Sequence, residues 1–226
     1  MATLQVYRKP ANFRLPHRYT RLTLGGGGQN FSFCRGLNSE IAQVQRYEIG
    51  MHWEITETYP YPGENQLTDR SITKFIQNFY SIYVPTNENL FFCVGSNIQG
   101  LYPALTNHSG IATLNIEPID LNALFRAYRE GRFEILGQSC ITDNNTLKLS
   151  QRKKDGQPFA QNDTRVRRGG DVINQNFEFF ANVEGRMTPF HVYPDGRITK
   201  RGPSPSGTNN FGLLRQVYRD VMRAIR

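Results

Sequence analysis

The chain of 226 residues carries 27 basic and 19 acidic residues, with a formal net charge of +8, and 12% of its residues are aromatic. This aromatic content is enough to build a hydrophobic core, which argues against a disordered chain. No stretch approaches the ~18 consecutive apolar residues of a transmembrane helix. The first ten residues lack the apolar segment of a signal peptide, so we expect a protein of the reducing cytoplasm with no transmembrane segment.

The first 24 residues predict an extended basic arm. Pro10 and Pro16 interrupt any helix in this stretch, which contains no acidic residue. Basic and aromatic residues alternate loosely along it, and the arginines expected to contact a partner are Arg8, Arg14, Arg18 and Arg21. Four glycines at positions 25–28 predict a flexible joint, after which we expect one globular domain over residues 25–226.

The next segment predicts strands and one helix. Alternation of period two over residues 50–59 predicts a strand, with Trp53 on one face and His52 and Glu54 on the other. A helix is predicted from Asp69 or Ser71 to Pro85. Its apolar face comprises Ile72, Phe75, Ile76, Phe79 and Ile82. The apolar run at 90–94 predicts a buried strand, residues 95–110 a loop, and residues 111–116 a short strand.

The second half predicts another helix and a meander. Asp120 predicts a helix start and Gly131 its end, with Leu121, Leu124, Phe125 and Tyr128 as the apolar face. Strands are predicted over residues 132–136 and 141–149, and a long polar loop over residues 150–171. Three strands follow over residues 177–183, 186–193 and 197–200, with turns at Glu184-Gly185 and Pro194-Asp195-Gly196.

A last helix begins at Asn209 or Asn210 and is predicted to be amphipathic. Its apolar stripe comprises Phe211, Leu214, Val217, Tyr218, Val221 and Ile225. The whole order of elements predicts an α+β fold: a largely antiparallel sheet, an extended basic N-terminal arm, two internal helices and a C-terminal amphipathic helix. It does not show the regular alternation of strands and helices that indicates a parallel sheet.

Positive charge is concentrated at both ends of the chain. The first 39 residues carry six bases and no acid, and residues 197–226 carry seven bases against Asp220 alone. The cations comprise 21 Arg and 6 Lys, and the planar guanidinium suits phosphate, carboxylate and aromatic partners. Besides the arm, two basic clusters are candidate binding sites, although a solvated surface explains each as well. They are the loop cluster Arg152, Lys153, Lys154, Arg165, Arg167 and Arg168, and the helix cluster Arg215, Arg219 and Arg223.

Signals for catalysis are weak, and we predict no catalytic residue, metal ligand or cofactor. His52 with Glu54, and His191 with Tyr193, come nearest to a site, but no third group completes either pair. The three cysteines, Cys34, Cys93 and Cys140, lack metal-ligand or redox spacing. We therefore expect buried free thiols.

Three functions are consistent with this sequence. The leading hypothesis is a non-enzymatic, self-assembling structural protein of virus-coat or occlusion-lattice type, whose arginine and aromatic side chains contact copies of the same chain. The alternative is a protein that binds RNA or single-stranded DNA and holds its phosphates with the same arginines. The third is a small enzyme, such as a nuclease or transferase.

Overall fold

The computed structural model describes residues 2–24, 30–62, 67–95, 101–141, 149–153, 172–202 and 210–226. The chain forms two compact units. We call Arg8–Asn115 the N-terminal unit, and Met1–Tyr7 together with Ile116–Arg226 the C-terminal unit. The sequence-based boundary after residue 24 falls inside the N-terminal unit. No helix within the described ranges has the length and apolar character needed to span a membrane.

The secondary structure is mostly antiparallel sheet with three helices in the described residues, which confirms the α+β prediction at this level. The strands are β1 (Ala2–Arg8), β2 (Thr20–Thr23), β3 (Phe31–Leu37), β4 (Val44–Pro62), β5 (Leu67–Pro85), β6 (Leu90–Gly95), β7 (Glu134–Ile135), β8 (Gln138–Ser139), β9 (Leu149–Lys153), β10 (Val172–Val183), β11 (Arg186–Val192) and β12 (Ile198–Lys200). The helices are α1 (Leu101–Ser109), α2 (Leu121–Arg129) and α3 (Asn210–Ala224).

The N-terminal unit is built on an antiparallel sheet in which β2, β3, β4, β5 and β6 are neighbours in chain order. Helix α1 packs against β3 and β4 on one face of this sheet. The side chains on that face are buried, and they include Cys34, Ile49, Met51 and Ile82. Because side chains alternate along a strand, the residues between them point to the opposite face.

The long hairpin of β4 and β5 corrects the sequence-based reading of residues 71–85. The predicted helix there is wrong, because the whole segment pairs with β4 from Val44–Pro85 to Pro62–Leu67. Ile72, Ile76 and Ile82 are β-branched, and such residues fit an extended backbone better than a helix. Residues 50–59 and 90–94 are strands as predicted, within β4 and β6.

The strands of the C-terminal unit follow the order β1, β12, β11, β10, β9, and each pairs antiparallel with the next. The predicted meander is confirmed as β10, β11 and β12. At its first turn, Glu184 and Gly185 have φ of 50° and 80°, the left-handed pair of a type I′ turn. Helix α2 packs against β10, and α3 against β7 and β12. The buried rings of this unit include Phe133, Phe177, Phe179 and Phe190.

Two helices of this unit begin where the sequence places them. The Asp120 carboxylate accepts hydrogen bonds from the backbone N–H groups of Asn122 and Ala123, at 2.9 and 3.0 Å. Gly131, with φ of 70°, follows the end of α2. Helix α3 begins at Asn210 and buries most of the expected stripe, namely Phe211, Leu214, Val217, Tyr218 and Val221.

Other sequence-based assignments are wrong. Residues 95–110, predicted as a loop, contain α1. Of the strand predicted at 111–116, only Ile116 forms a bridge among the described residues, to Tyr7. Residues 150–153 of the predicted loop belong to β9, because they pair with β10.

Residues 154–171 and the glycines at 25–28 lie outside the described residues. Two stretches of the predicted arm are sheet strands, β1 and β2, and a free-standing arm is not confirmed.

Candidate nucleic-acid interface

The second face of the N-terminal sheet, opposite α1, carries two rows of aromatic side chains. One row runs across four strands, since Arg21 lies opposite Phe33, Phe33 opposite Gly50, and Gly50 opposite Phe79. The next row places Phe31 opposite His52. Residues two apart on a strand share a face, so both rows lie on the same side. We call this surface, formed by Tyr19, Arg21, Phe31, Phe33, His52 and Phe79, the aromatic face.

The rings of the aromatic face touch one another. Tyr19 stacks on Phe33 with 6.0 Å between ring centroids, and Phe33 meets Phe79 at 5.8 Å with a tilt of 60°. In the neighbouring row, Phe31 and His52 stack at 4.8 Å and 17°. These distances lie within the range of favourable aromatic pairs. The face therefore comprises two groups of touching rings rather than scattered apolar residues.

Gly50 makes room for the central ring. A Cβ atom at this position would overlap the Phe33 ring. The Phe33 side chain lies across the bare backbone of β4 and can reach Phe79 on the far strand. A glycine inside a strand often marks such a close approach.

The outer rings of the face are open to solvent. Tyr19 is 61% exposed and Phe79 is 52% exposed, whereas Ile49 and Met51 on the α1 side are at most 1% exposed. Single exposed apolar residues are normal on a protein surface, but a contiguous cluster marks a binding surface. His52 is mostly buried beneath its stacking partner.

Unpaired arginines accompany this face. The Arg21 guanidinium lies 3.9 Å above the centroid of the Phe31 ring. Arg14 and Arg18 are exposed in the segment that leads into β2. Within the described residues, no ion pair or side-chain hydrogen bond engages these three guanidinium groups. In contrast, Arg35 is paired with Glu48, with 2.6 Å between Nε and the carboxylate.

The remaining predicted binding residues lie elsewhere. Arg8 is exposed at the end of β1. Arg152 and Lys153 lie on β9, and the rest of the loop cluster, Lys154, Arg165, Arg167 and Arg168, lies outside the described residues. In the helix cluster, Arg219 is exposed, Arg215 is half-buried against Phe211, and Arg223 contacts Asp220 at 3.2 Å. These last two clusters belong to the C-terminal unit.

The histidine pairs noted in the sequence have different surroundings. His52 is a stacking residue of the aromatic face, and Glu54 lies on the same face of β4. His191 is buried, its Nε2 lies 3.6 Å from a Glu178 oxygen, and its ring stacks on Tyr193 at 6.5 Å. Burial lowers the His191 pKa, and Arg201 lowers it further against the opposing effect of Glu178. Over the described ranges, no three His, Cys, Asp or Glu residues cluster as a metal site.

The three cysteine thiols are free and buried, as expected from the sequence. Burial raises the pKa of Cys34 and of Cys140 to about 12, and that of Cys93 well above its usual value. A thiol must ionise to act as a nucleophile, so these groups are inert near neutral pH.

Sequence reasoning found Arg21 but missed the rings around it. Phe31 and Phe33 are two residues apart, a spacing that was available as a signal for one face of a strand. The sequence pattern assigns Phe79 to a helix instead.

No protein-family model matches the chain, and no curated protein is similar to it in sequence.

Proposed function

We propose that this protein binds single-stranded nucleic acid, RNA or DNA, through the aromatic face. The observation that carries the proposal is an open sheet face on which Tyr19 and Phe79 are more than half exposed beside Arg21, whose guanidinium has no ion pair with a described residue. Stacking of a base on an exposed aromatic ring contributes about 1–3 kcal/mol to binding, and every type of base can stack in this way. Arginines nearby can hold the phosphates.

The spacing of the two rows favours an unstacked strand. Phe31 and Phe33 are two residues apart on β3, which corresponds to about 6.8 Å along a strand. Bases stacked in a duplex rise only about 3.4 Å per nucleotide. The Phe31 ring is covered by the Arg21 guanidinium and by His52. A strand that stacks a base on the row of Tyr19, Phe33 and Phe79 and also reaches this guanidinium must therefore have its bases separated, as in single-stranded RNA recognition on sheet surfaces.

The width of the face disfavours a duplex. The first row crosses four strands, β2 to β5, which spans about 14 Å at ~4.8 Å per strand. The major groove of B-DNA, at about 12 Å, admits a helix or a two-stranded ribbon and not a sheet of this width. The rings of the face would also find no exposed base surface in a paired helix.

Self-assembly remains the second candidate, and one feature of the β4–β5 hairpin favours it. Between Trp53–Ile76 and Pro62–Leu67, these strands pair only with each other among the described strands. Thr56, Thr58 and Ile72 are exposed there. A two-stranded hairpin is marginally stable alone in water, so contact with another copy of the chain would stabilise this ribbon.

Oligonucleotide binding tests the first proposal. Labelled single strands of about 15 nucleotides, close to the ~4–16 nucleotides that one single-strand-binding fold covers, are titrated in fluorescence anisotropy beside the matching duplex. We expect single strands to bind and the duplex to bind far more weakly. The double variant Tyr19→Ala/Phe79→Ala should lose about 30-fold in affinity, because two stacking contacts of ~1 kcal/mol each disappear.

A matched control removes two apolar groups of similar exposure. Tyr102, on α1, is 43% exposed, and Ile72 is 44% exposed on the opposite face of the hairpin. The variant Tyr102→Ala/Ile72→Ala should bind as the wild type does. The proposal is wrong if the wild type does not bind, or if the two double variants bind equally. Large particles free of nucleic acid in light scattering would favour assembly instead.

A further inference from the structure

Arg21 is held at a fixed place on the aromatic face. Its backbone lies in β2 opposite Phe33, while its guanidinium reaches diagonally to Phe31. A Cζ-to-centroid distance of 3.9 Å fits face-to-face stacking of a guanidinium on a ring. Phe31 is itself held by its stack with His52. The side chain therefore loses less conformational freedom on binding than a free arginine would.

The hydrogen-bonding capacity of Arg21 is not used by the part of the chain that the structure describes. No described residue accepts a hydrogen bond from its guanidinium or forms an ion pair with it, and the side chain is exposed. The five N–H donors of a guanidinium lie in one plane and form a rigid fork. Stacking covers a face of that plane and leaves its edge free to donate.

The position of this fork matches a base edge better than the phosphate backbone. It lies over the Phe31 ring, on the same face of the sheet as the rings on which bases would stack. Among the bases, guanine presents two acceptors, O6 and N7, at the spacing of an arginine fork. Adenine presents an acceptor and a donor there, and the donor has no partner on a guanidinium.

We propose that Arg21 selects guanine in the single strand bound to the aromatic face. This inference rests on the proposed function, since without a bound strand there is no base to select. The guanidinium donates two hydrogen bonds to O6 and N7, while Phe31 holds it in place. Lysine cannot replace it, because an ammonium has no planar fork.

The test compares strands that differ at one base. Thymidine strands of about 15 nucleotides, with one central guanine, adenine or 7-deazaguanine, are titrated in anisotropy against the wild type and two variants. The wild type should prefer guanine over adenine by about 5- to 150-fold. 7-Deazaguanine, which lacks the N7 acceptor, should lose most of this preference. Arg21→Lys should bind all three strands alike.

Arg18→Lys is the matched control, because Arg18 is exposed, lies three residues away in the chain and has no cation–π contact with a described ring. It should keep the preference for guanine. If the wild type binds all three strands equally, or if Arg21→Lys keeps the preference, the inference is wrong while the proposed function stands. A uniform loss of affinity in Arg21→Lys without wild-type discrimination would assign Arg21 to a phosphate. Absence of binding to any strand would instead reject the proposed function.

Discussion

Gly50 is the residue on which the arrangement of the aromatic face depends most directly. Replacing it with alanine introduces a Cβ where the Phe33 ring lies. The ring must move, and it then loses its contacts with Tyr19 or Phe79. We expect Gly50→Ala to weaken oligonucleotide binding and to lower the free energy of unfolding by about 1–3 kcal/mol, as overpacking does. Anisotropy titration and urea unfolding measure the two effects.

Gly212 provides the control for this substitution. It lies inside α3, and no heavy atom would come within 4 Å of an added Cβ. Gly212→Ala should raise the free energy of unfolding by roughly 0.5–1 kcal/mol, because alanine has a higher helix propensity than glycine. It should leave binding unchanged. Wild-type binding and stability in Gly50→Ala would show that Phe33 has another position available, contrary to the packing described above.

At the residue scale, the sequence indicates which side chains are candidates for binding but not which side chains they contact. Arg21 is a predicted binding residue because it lies in the basic arm, which contains no acid. Its partner Phe31 lies ten residues away on the neighbouring strand. Such a contact depends on the register of the pairing, and register is set by the whole sheet and not by the local sequence.

Among the elements, α3 is joined to the β7–β8 hairpin through one buried carboxylate. Asp220, 3% exposed, accepts hydrogen bonds from the backbone N–H of Leu136 at 3.0 Å and from Gln216 Nε2 at 2.9 Å. Leu136 stands at the turn with φ of 55°. Asp220→Ala leaves this N–H without its acceptor, which costs about 1–3 kcal/mol. We expect a corresponding drop in the urea midpoint, measured by circular dichroism.

Two further variants separate this role from a general effect of charge. Asp220→Asn keeps one acceptor oxygen and should lose less stability than Asp220→Ala. Glu130→Ala removes an acid whose ion pair with Arg132 is more than half exposed on both sides, and such pairs contribute at most about 1 kcal/mol. Equal losses in Asp220→Ala and Glu130→Ala would contradict the account.

The elements that the sequence predicted well are those with local signals. The Asp120 cap, the Glu184-Gly185 turn and the start of α3 each depend on a few neighbouring residues. Strand β5 lacked such a signal, because its apolar residues follow a period of 3.6 and not a period of two. In the strand, Phe79 lies on one face, and Ile72 and Ile82 lie on the other. Its β-branched and aromatic composition favours a strand. Hydrogen bonding to the equally long β4 makes the segment a strand, and no pattern within the segment itself contains that partner.

The aromatic face could not be predicted as a site for the same reason. Its members come from the segment before β2 and from β2, β3, β4 and β5. Only two pairs, Tyr19 with Arg21 and Phe31 with Phe33, are close in sequence. The face exists because antiparallel pairing brings residues of four strands into rows, so a single wrong element, here the helix assigned to Phe79, hides it.

For the whole molecule, the distribution of arginine between the two units says more about where phosphates bind than the net charge of +8 does. The chain folds into two units, and the predicted basic clusters divide between them. Arg14, Arg18 and Arg21 belong to the N-terminal unit, and the helix cluster belongs to the C-terminal unit. If a strand binds the aromatic face, the phosphates that it brings should be neutralised by the first group and not by the second.

The salt dependence of binding measures this directly. For single strands, the slope of log K against log salt is about −0.7 for each phosphate neutralised. The triple variant Arg14→Gln/Arg18→Gln/Arg21→Gln should therefore flatten the slope by up to about 2. The triple variant Arg219→Gln/Arg223→Gln/Arg226→Gln removes three exposed arginines of the last helical segment and should leave the slope unchanged. If only the second triple variant flattened the slope, the interface would lie in the C-terminal unit. Particles that form independently of salt would favour assembly, because contacts between copies of the chain release no counterions from phosphate.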